Sequence, residues 1–557
     1  VSLIAELMGI PDAPRETGAL PPFRPGEEND RWNAARLIAE FGADMIFVGG
    51  KGWGIWDGAR YDFSDGPLRA MLVADRLQGL VAADARAAWS EEPPELDIRR
   101  RLQAELEKPR PEFTTPEAAL QALRTEKALA LKRHAVKCGN VDKMEKALRL
   151  MTARLRVPLE ALDADPWSFT CPNGRIDLHR VAEADLWALE PEERSAERAT
   201  WLRPHDRAAR PTKCAGVAFD PAADCPEWRA FIELVLPDPN VRDCFHRSMG
   251  AMVFGRNEPQ VAFLFRGSGG NGKSTAVNAI AGVLGMSGGY AVPCKIEMFL
   301  VTGTERAGQA TPEEVDLPGA RALIASEPDP TDELAAKKIK SLTGGDPRPA
   351  RALNMPQFFY RPTGFPILSF NRTPRIKNED EGTRRRLIFF PFEVSLRELP
   401  PEKRRSPVAV EKALAAEGPG ILNWLLDGYR EFRHRTDAGI GTPPGIDPPA
   451  AMLDLKDAIL EHADPVGSFI ADCCDKGPGL EIRTSQFYRV LEQWADMTGS
   501  VLHGKQTVTR IMQEKGFGKR KTGGGIIHWS GLGWQKTDNV AALLETCGYG
   551  PPSAPRG

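Results

Sequence analysis

The chain has 557 residues, 42% of them hydrophobic and 27% charged, and a formal net charge of −3. That length allows three or four domains with sizeable cores, and the near-neutral charge excludes nucleic-acid binding through bulk charge, so any such contact must come from local patches. No apolar run approaches the ~18 residues of a membrane-spanning helix, so no membrane partner is expected. The N-terminus lacks the basic and apolar regions of a signal peptide. The nine cysteines are scattered without a Cys-x-x-Cys pair, and Cys473 and Cys474 are adjacent, so free thiols in a reducing cytoplasm are expected.

Residues 1–25 read as a loose leader rich in proline, glycine and charge, and 26–205 as a mostly helical N-terminal domain. Within it, Ala34, Leu37, Ile38 and Phe41 predict one face of a short helix between Asn29 and Gly42. Residues 44–63 predict a hairpin around Gly49-Gly50-Lys51-Gly52, and Asn173-Gly174 signals a second one. The charged run at 99–108 is expected to be a solvated helix face. Residues 206–260 read as a helical collar, with two helices between 226 and 256. A strand-rich core spans 261–435 and closes with a helix at about 408–433. Residues 436–454 are taken as a linker, its 436–449 stretch rich in glycine and proline. A small unit at 455–535 and a tail at 536–557 complete the chain.

The most informative segment is Gly267-Ser268-Gly269-Gly270-Asn271-Gly272-Lys273-Ser274-Thr275. It satisfies G-x-x-x-x-G-K-[ST]. Glycines let backbone N–H groups close around phosphates, Lys273 places a charge at the β- and γ-phosphates, and the Ser274 hydroxyl is suited to a Mg²⁺ shell. The apolar run Val261–Phe265 predicts a buried strand before the loop, and 274–284 a helix after it, with its N-terminus toward the phosphates. ATP and Mg²⁺ are the expected ligands. A second strand, 320–325, ends in Ser326-Glu327, where a carboxylate at a strand tip is placed to hold the metal and polarise water. A third, 365–370, ends in Asn371, an amide placed to orient water or touch the γ-phosphate. Thr383-Arg384-Arg385-Arg386 precedes another buried strand, and arginines there can stabilise transition-state charge on a neighbour's nucleotide.

Taken in this order, the motifs resemble the superfamily 3 helicases, specifically the phage and plasmid primase-helicase family that includes the poxvirus type. The resemblance rests on the 267–275 loop, Ser326-Glu327, Lys340-Ser-Leu-Thr-Gly-Gly-Asp346 with Ala350-Arg351, Asn371-Arg-Thr-Pro374, Arg385-Arg386 with Pro391-Phe392, and Gly420-Ile-Leu-Asn-Trp424. Upstream, Trp56-Asp-Gly58, Asp165-Pro-Trp167, Pro172-Asn-Gly174 and Cys225-Pro-x-Trp228 resemble the helical domain preceding the helicase in that family. It implies a multidomain α/β chain: a P-loop, AAA+-like ATPase core between a helical N-terminal domain and a C-terminal winged-helix domain. It implies an ATP-dependent DNA helicase in phage or plasmid replication, acting as a homo-hexameric ring on single-stranded or forked DNA in a bacterial or phage-infected cell. Glu327 becomes the acidic second motif, Asn371 the sensor, and Arg385, then Arg386, the trans-acting finger. Lys340, Arg348 and Arg351 become DNA contacts on a channel hairpin. One departure is a single acid, Glu327, where some members carry two. The rival reading is an ATP-regulated, DNA-binding origin or packaging factor that does not unwind.

The 485–529 stretch predicts two helices and a strand pair with a basic tip, the layout of a winged helix. Between Lys505 and Lys521 six basic residues face one acid, and Lys515, Lys519, Arg520 and Lys521 are the candidate phosphate contacts. Asp163-Ala-Asp165 is the only spacing suggestive of a two-metal polymerase site, and it falls in a stretch that reads as structural. The chain alone is therefore expected not to make primers, and a separate primase is a possible partner.

Overall fold

Asn29 starts the first helix because its side chain accepts a hydrogen bond from the Trp32 N–H, and α1 (Asp30–Phe41) then buries Trp32, Ala34, Leu37 and Phe41. The computed structural model describes residues 21–26, 28–186, 189–301, 311–326, 332–353, 355–371, 375–377, 381–401, 404–463, 465–498, 502, 504–522 and 525–550. After α1 comes a small sheet of β1 (Met45–Val48), β2 (Gly52–Trp56), β3 (Tyr61–Asp62) and later β4 (Arg156–Val157), in the order β3-β2-β1-β4. The β1–β2 hairpin forms around the expected glycine turn, with Val48 opposite Gly52. Helices α2 (Gly66–Asp75), α3 (Leu77–Ala87), α4 (Glu95–Leu106), α5 (Pro116–Cys138) and α6 (Val141–Arg154) complete this domain. Its core runs only from Phe23 to Met151. Helix α4 is largely exposed, as its charge run implied, although Glu105 is buried and accepts the Glu112 N–H.

Beyond Leu162 the chain changes partners. β5 (Ser168–Cys171), β6 (Gly174–Asp177) and β7 (Leu202–Arg203) form an antiparallel sheet, with α7 (Leu178–Glu183) and α8 (Pro191–Ala199) between β6 and β7. Their apolar residues, Phe169, Ile176 and Trp201 among them, join the core of the central sheet rather than that of the N-terminal helices. The β5–β6 turn is Pro172-Asn173, with Cys171 opposite Gly174. It sits one residue before the predicted Asn-Gly pair, because both polar atoms of the Asn173 side chain are used in bonding the backbone of Phe219.

Two helices, α9 (Pro226–Val235) and α10 (Pro239–Ala251), lead into β8 (Ala262–Arg266) and the helix α11 (Lys273–Leu284). β9 (Ala291–Pro293), β10 (Ala322–Ser326), β14 (Phe365–Phe370) and β16 (Leu387–Pro391) join β8 in a sheet of order β16-β8-β14-β10-β9. Every pairing in it is parallel, and its strands are near-continuous apolar runs because helices cover both faces. Inserted between β10 and β14 are β11 (Glu333–Ala335), α12 (Ala336–Thr343) and a hairpin of β12 (Arg348–Ala350) and β13 (Phe358–Tyr360). The short β15 (Arg375–Lys377) pairs with β11, and α13 (Glu381–Arg384) precedes β16.

The single helix expected at 408–433 is two, α14 (Pro407–Ala416) and α15 (Gly418–Asp437). Pro419 cannot continue a helix hydrogen-bond ladder, and a Cβ at Gly420 would lie 2.1 Å from Asp224 O. The break lets the Glu417 carboxylate accept the N–H groups of Glu227 and Trp228 at the start of α9. The stretch read as a linker is anchored. Ile446 is fully buried, and Arg247 Nη2 donates to the carbonyls of Ile446 and Asp447. Helix α16 (Ala450–Ala463) crosses the expected boundary at 455, since Ile459 and Leu460 pack into the core beneath the parallel sheet.

The last unit has its own core from Val466 to Cys547. It comprises α17 (Pro465–Cys473), β17 (Cys474–Arg483), α18 (Thr484–Thr498), α19 (Lys505–Glu514), β18 (Gly518–Lys521), β19 (Ile527–Trp534) and α20 (Asp538–Thr546), with an antiparallel sheet of order β17-β19-β18. Val540, Leu543 and Leu544 bury α20 against it, so the presumed tail is partly structural. All nine cysteines are free. Among the described residues no helix is long and apolar enough to cross a membrane.

Candidate nucleotide and nucleic-acid sites

The 267–275 loop joins the C-terminal end of β8 to the N-terminus of α11. Gly269, Gly270 and Gly272 have φ of +99°, +65° and +81°, a region that side-chain-bearing residues rarely adopt. Close approach explains Gly267, where a Cβ would lie 2.2 Å from Phe392 O. Helix α11 begins at Gly272 with no side-chain cap, so its first N–H groups stay available to an anion. The buried Lys273 reaches back across the loop, donating to Gly267 O at 2.8 Å and to Asn371 Oδ1 at 3.1 Å. Ser274 lies exposed on the first helical turn. Glycines that a Cβ would displace, an uncapped helix start and a lysine folded over the loop together fit a chain of phosphates.

Sheet order explains how Asn371 arrives there. β14 pairs directly with β8, Phe370 opposite Arg266, so Asn371 emerges beside the loop. The strand ending in Ser326 is one further away, with β14 between it and β8. Glu327 lies outside the described residues, as do residues 372–374. The segment after β16 forms a second wall. Phe392 N donates to Arg266 O, Asn271 Nδ2 to Val394 O, and Leu396 N to Gly270 O. Beyond it a cleft of about 550 Å³ continues from Gly270, Gly272 and Thr275 between Phe231, Leu234, Arg397 and Val410. Sequence reading missed this cleft because its walls come from α9 and from residues after 395, and no local motif links them.

The arginines occupy the opposite end of the same sheet. Leu387 pairs with Ala262 and Pro391 with Arg266, so Arg385 and Arg386 precede the N-terminal ends of the strands. Five residues of strand separate them from the loop, about 16 Å. Exposed Arg385 donates through Nη2 to Gln260 Oε1 at 3.3 Å. Arg386 Nη1 donates to Thr343 Oγ1 at 3.0 Å, which ties it to α12, the helix of Lys340.

The sequence-predicted hairpin residues separate. Arg348 forks onto Glu314, with Nη2 2.5 Å from Oε1. Burial works against its charge, but Glu314 outweighs burial and holds the guanidinium above its ordinary value. Burial, then the Glu314 charge, push the Tyr360 hydroxyl upward, and that hydroxyl donates to Glu314 Oε2 at 2.8 Å. Arg348 is thus a base for the hairpin, whereas Arg351 is exposed near its tip, with Nε donating to Met355 O.

In the C-terminal unit every residue of β18 is exposed. Lys519 Nζ lies 4.9 Å from the Trp529 ring centroid and 3.3 Å from Thr509 Oγ1 on α19. Arg520 Nη1 pairs with Glu481 at 3.0 Å, and Lys515, just past α19, and Lys521 are exposed. Residues 523–524 at the strand turn lie outside the described residues.

The Asp163 carboxylate accepts the Thr212 N–H at 2.8 Å and the Thr212 hydroxyl at 2.5 Å. Asp165 accepts the Trp167 N–H at 3.0 Å. Both carboxylates hold backbone, and among the described residues no group of His, Cys, Asp and Glu is arranged for a metal ion.

Fold and loop together define a multidomain α/β protein built on a parallel sheet. The family described as "D5 N terminal like" matches residues 34–237. The mimivirus protein named "Putative helicase L207/L206" (Acanthamoeba polyphaga mimivirus) is 33% identical over 289 residues, which cover 49% of this chain and 29% of that protein. "Putative helicase 022R" of Frog virus 3 (isolate Goorha) is 32% identical over 169 residues, 29% of this chain and 17% of that protein. The chain thus spans less than a third of either relative. The apo NrS-1 C-terminal region overlaps 56% of this chain and 76% of its own length, at 14% identity and a TM-score of 0.32. Residues 34–237 are thus similar to the D5 N terminal like family, and the chain is similar in part to viral proteins named as putative helicases.

Proposed function

We propose that the chain is an ATP-dependent DNA helicase of superfamily 3 type that works as a ring, with a P-loop, AAA+-like core and a C-terminal winged helix. One observation carries the reading. Lys273 and Asn371 sit at one end of the parallel sheet and Arg385 and Arg386 at the other. No rotamer of Arg385 spans about 16 Å of strand, so these arginines are placed to serve a nucleotide held by another copy. The strand order supports this, since it sets the Asn371 strand between the loop strand and the one leading to Glu327. The relatives named as helicases support the activity.

ATP is the proposed substrate. The 267–275 backbone and Lys273 hold its phosphates. Ser274 and Glu327 are the residues to complete the shell of Mg²⁺, which neutralises phosphate charge when bound. Asn371 orients the attacking water, and Arg385 stabilises equatorial charge on the neighbour's γ-phosphate, with Arg386 second. Lys340 and Arg351 face single-stranded DNA in the ring, while Lys515, Lys519, Arg520 and Lys521 contact phosphates outside it. A homo-hexamer and a separate primase complete the proposal.

The test pairs ATP turnover, with and without single-stranded DNA, with strand displacement on a forked duplex. DNA-stimulated turnover with displacement is expected. DNA binding and nucleotide binding without displacement would favour an ATP-regulated origin or packaging factor; absence of turnover in the folded protein would refute the helicase, and absence of nucleotide binding would refute both.

A further inference from the structure

The β12–β13 hairpin has two unlike faces. On the inner face Ala350, Phe358 and Tyr360 are buried, and Arg348 and Tyr360 converge on Glu314. The N-terminal domain presses on the same face. Gly50 has φ of +85°, and a Cβ there would lie 2.7 Å from Phe358 Cδ1. The hairpin is therefore fixed from behind by two domains. Its outer face pairs Pro349 with Phe359, both exposed. Phe359 keeps 55% of its surface exposed and Leu353, near the tip, 74%. A large aromatic ring held rigidly in water, on a strand whose other face is packed, is poised for a ligand rather than for the core.

Phe359 does not stand on a bare surface. It lines a cleft of about 420 Å³ together with Arg361, Arg321, Tyr290 and Glu160. Arg361 is exposed, donates only to Gly345 O, and has no carboxylate partner among the described residues. Arg321 is buried in the wall, with Nη2 bonded to Ser168 O at 2.6 Å, while Nη1 has no hydrogen-bond partner. The cleft thus offers a flat apolar face and a solvent-facing cation, backed by the Arg321 guanidinium, which lies over the Tyr290 ring at 4.5 Å. Single-stranded nucleic acid is held by those two things, a stacking platform and a phosphate contact.

We propose that this cleft docks one unstacked nucleotide of single-stranded DNA, its base on the Phe359 ring and its phosphate at Arg361. The proposal rests on the helicase reading and adds to it a stacking contact on the return strand of the hairpin. Stacking releases no counterions, whereas a phosphate contact does, so the two contributions separate by salt dependence.

The test uses the full chain and a single-stranded oligonucleotide carrying 2-aminopurine, titrated at several salt concentrations. The parent is expected to bind and to change the probe's fluorescence. Phe359→Ala should weaken binding roughly 5- to 150-fold with an unchanged salt slope and lose the fluorescence change, while Phe359→Trp retains both. Arg361→Gln should flatten the slope of log K against log salt by ~0.7. Parental affinity and fluorescence in a Phe359→Ala protein that still hydrolyses ATP would overturn the cleft and leave the helicase reading standing. So would an affinity loss that tracks a loss of self-assembly in gel filtration, which would make Phe359 a contact between copies. A parent that binds no single-stranded DNA would overturn both.

Discussion

The two ends of the parallel sheet are built on opposite principles. At the loop end, Lys273 and Asn271 are buried: Lys273 donates to Gly267 O and to the exposed Asn371, and Asn271 Nδ2 ties the loop to Val394 while its Oδ1 has no hydrogen-bond partner. At the other end Arg385 is exposed on a short loop before β16, and the nearby hairpin turns an aromatic face outward. One end is a loop tied down by its own side chains, and the other turns an arginine and an aromatic ring to solvent. Strand polarity enforces the difference, because a parallel sheet puts all its strand-to-helix loops on one edge.

The largest effect should come from the loop end. Lys273→Ala is expected to abolish ATP turnover while circular dichroism and melting stay near the parent, since the lysine's bonds are to the loop and to Asn371. Full turnover in that variant would remove the distinction between the ends. Next, Arg385→Ala should cut turnover ~10³-fold with nucleotide binding retained. Mixing it with Lys273→Ala subunits should restore part of the rate, because mixed interfaces pair an intact loop with an intact arginine. A protein that stays monomeric under ATP at micromolar concentration would break the comparison.

The seam below the sheet gives a third test. Lys213 donates to Asp316 O at 2.9 Å, and burial, reinforced by Lys51, pushes its ammonium down to about 8 from 10.5. Between those values the unfolded chain holds more protons than the folded one, so stability should rise with pH across that window. The contribution is about 3.5 kcal/mol at most (2.5 pH units at ~1.4 kcal/mol each), shared with its charged neighbours. Lys213→Met should lose this contribution, so the stability difference between parent and variant in denaturant titrations should grow in the parent's favour from pH 7.5 to 10.5, and a constant difference would contradict it. The smallest effect belongs to β18. Replacing Lys519, Arg520 and Lys521 with Ala should leave basal turnover intact and flatten the salt slope of DNA binding by ~0.7–0.9 for each phosphate that the variant no longer neutralises. Arg520 should contribute least of the three, since Glu481 already neutralises it.

Local signals were legible wherever one segment carried its own reason. The loop glycines, the apolar face of the helix between Asn29 and Gly42, the turn at Gly49–Gly52 and the apolar strands of the central sheet are all written in consecutive residues, because steric freedom and burial act over a few positions. Boundaries were less legible. The break at Glu417, the anchoring of Ile446 and the reach of α16 onto the sheet depend on Asp224, Arg247 and the sheet core, residues far away in the chain.

The roles of the hairpin side chains were decided by tertiary structure alone. In sequence Arg348 and Arg351 are equivalent basic residues three apart. In the fold Glu314, from a separate segment, takes the first and leaves the second exposed, while strand alternation turns Phe359 outward between buried Phe358 and Tyr360. Sequence determined that a glycine-rich G-x-x-x-x-G-K-S loop lies between a strand and a helix and that basic residues recur after it, since those depend on residue type and spacing. Only the parallel sheet decided that Lys273 and Asn371 meet while Arg385 lies a strand's length away, because pairing order and polarity are properties of segments 100 residues apart.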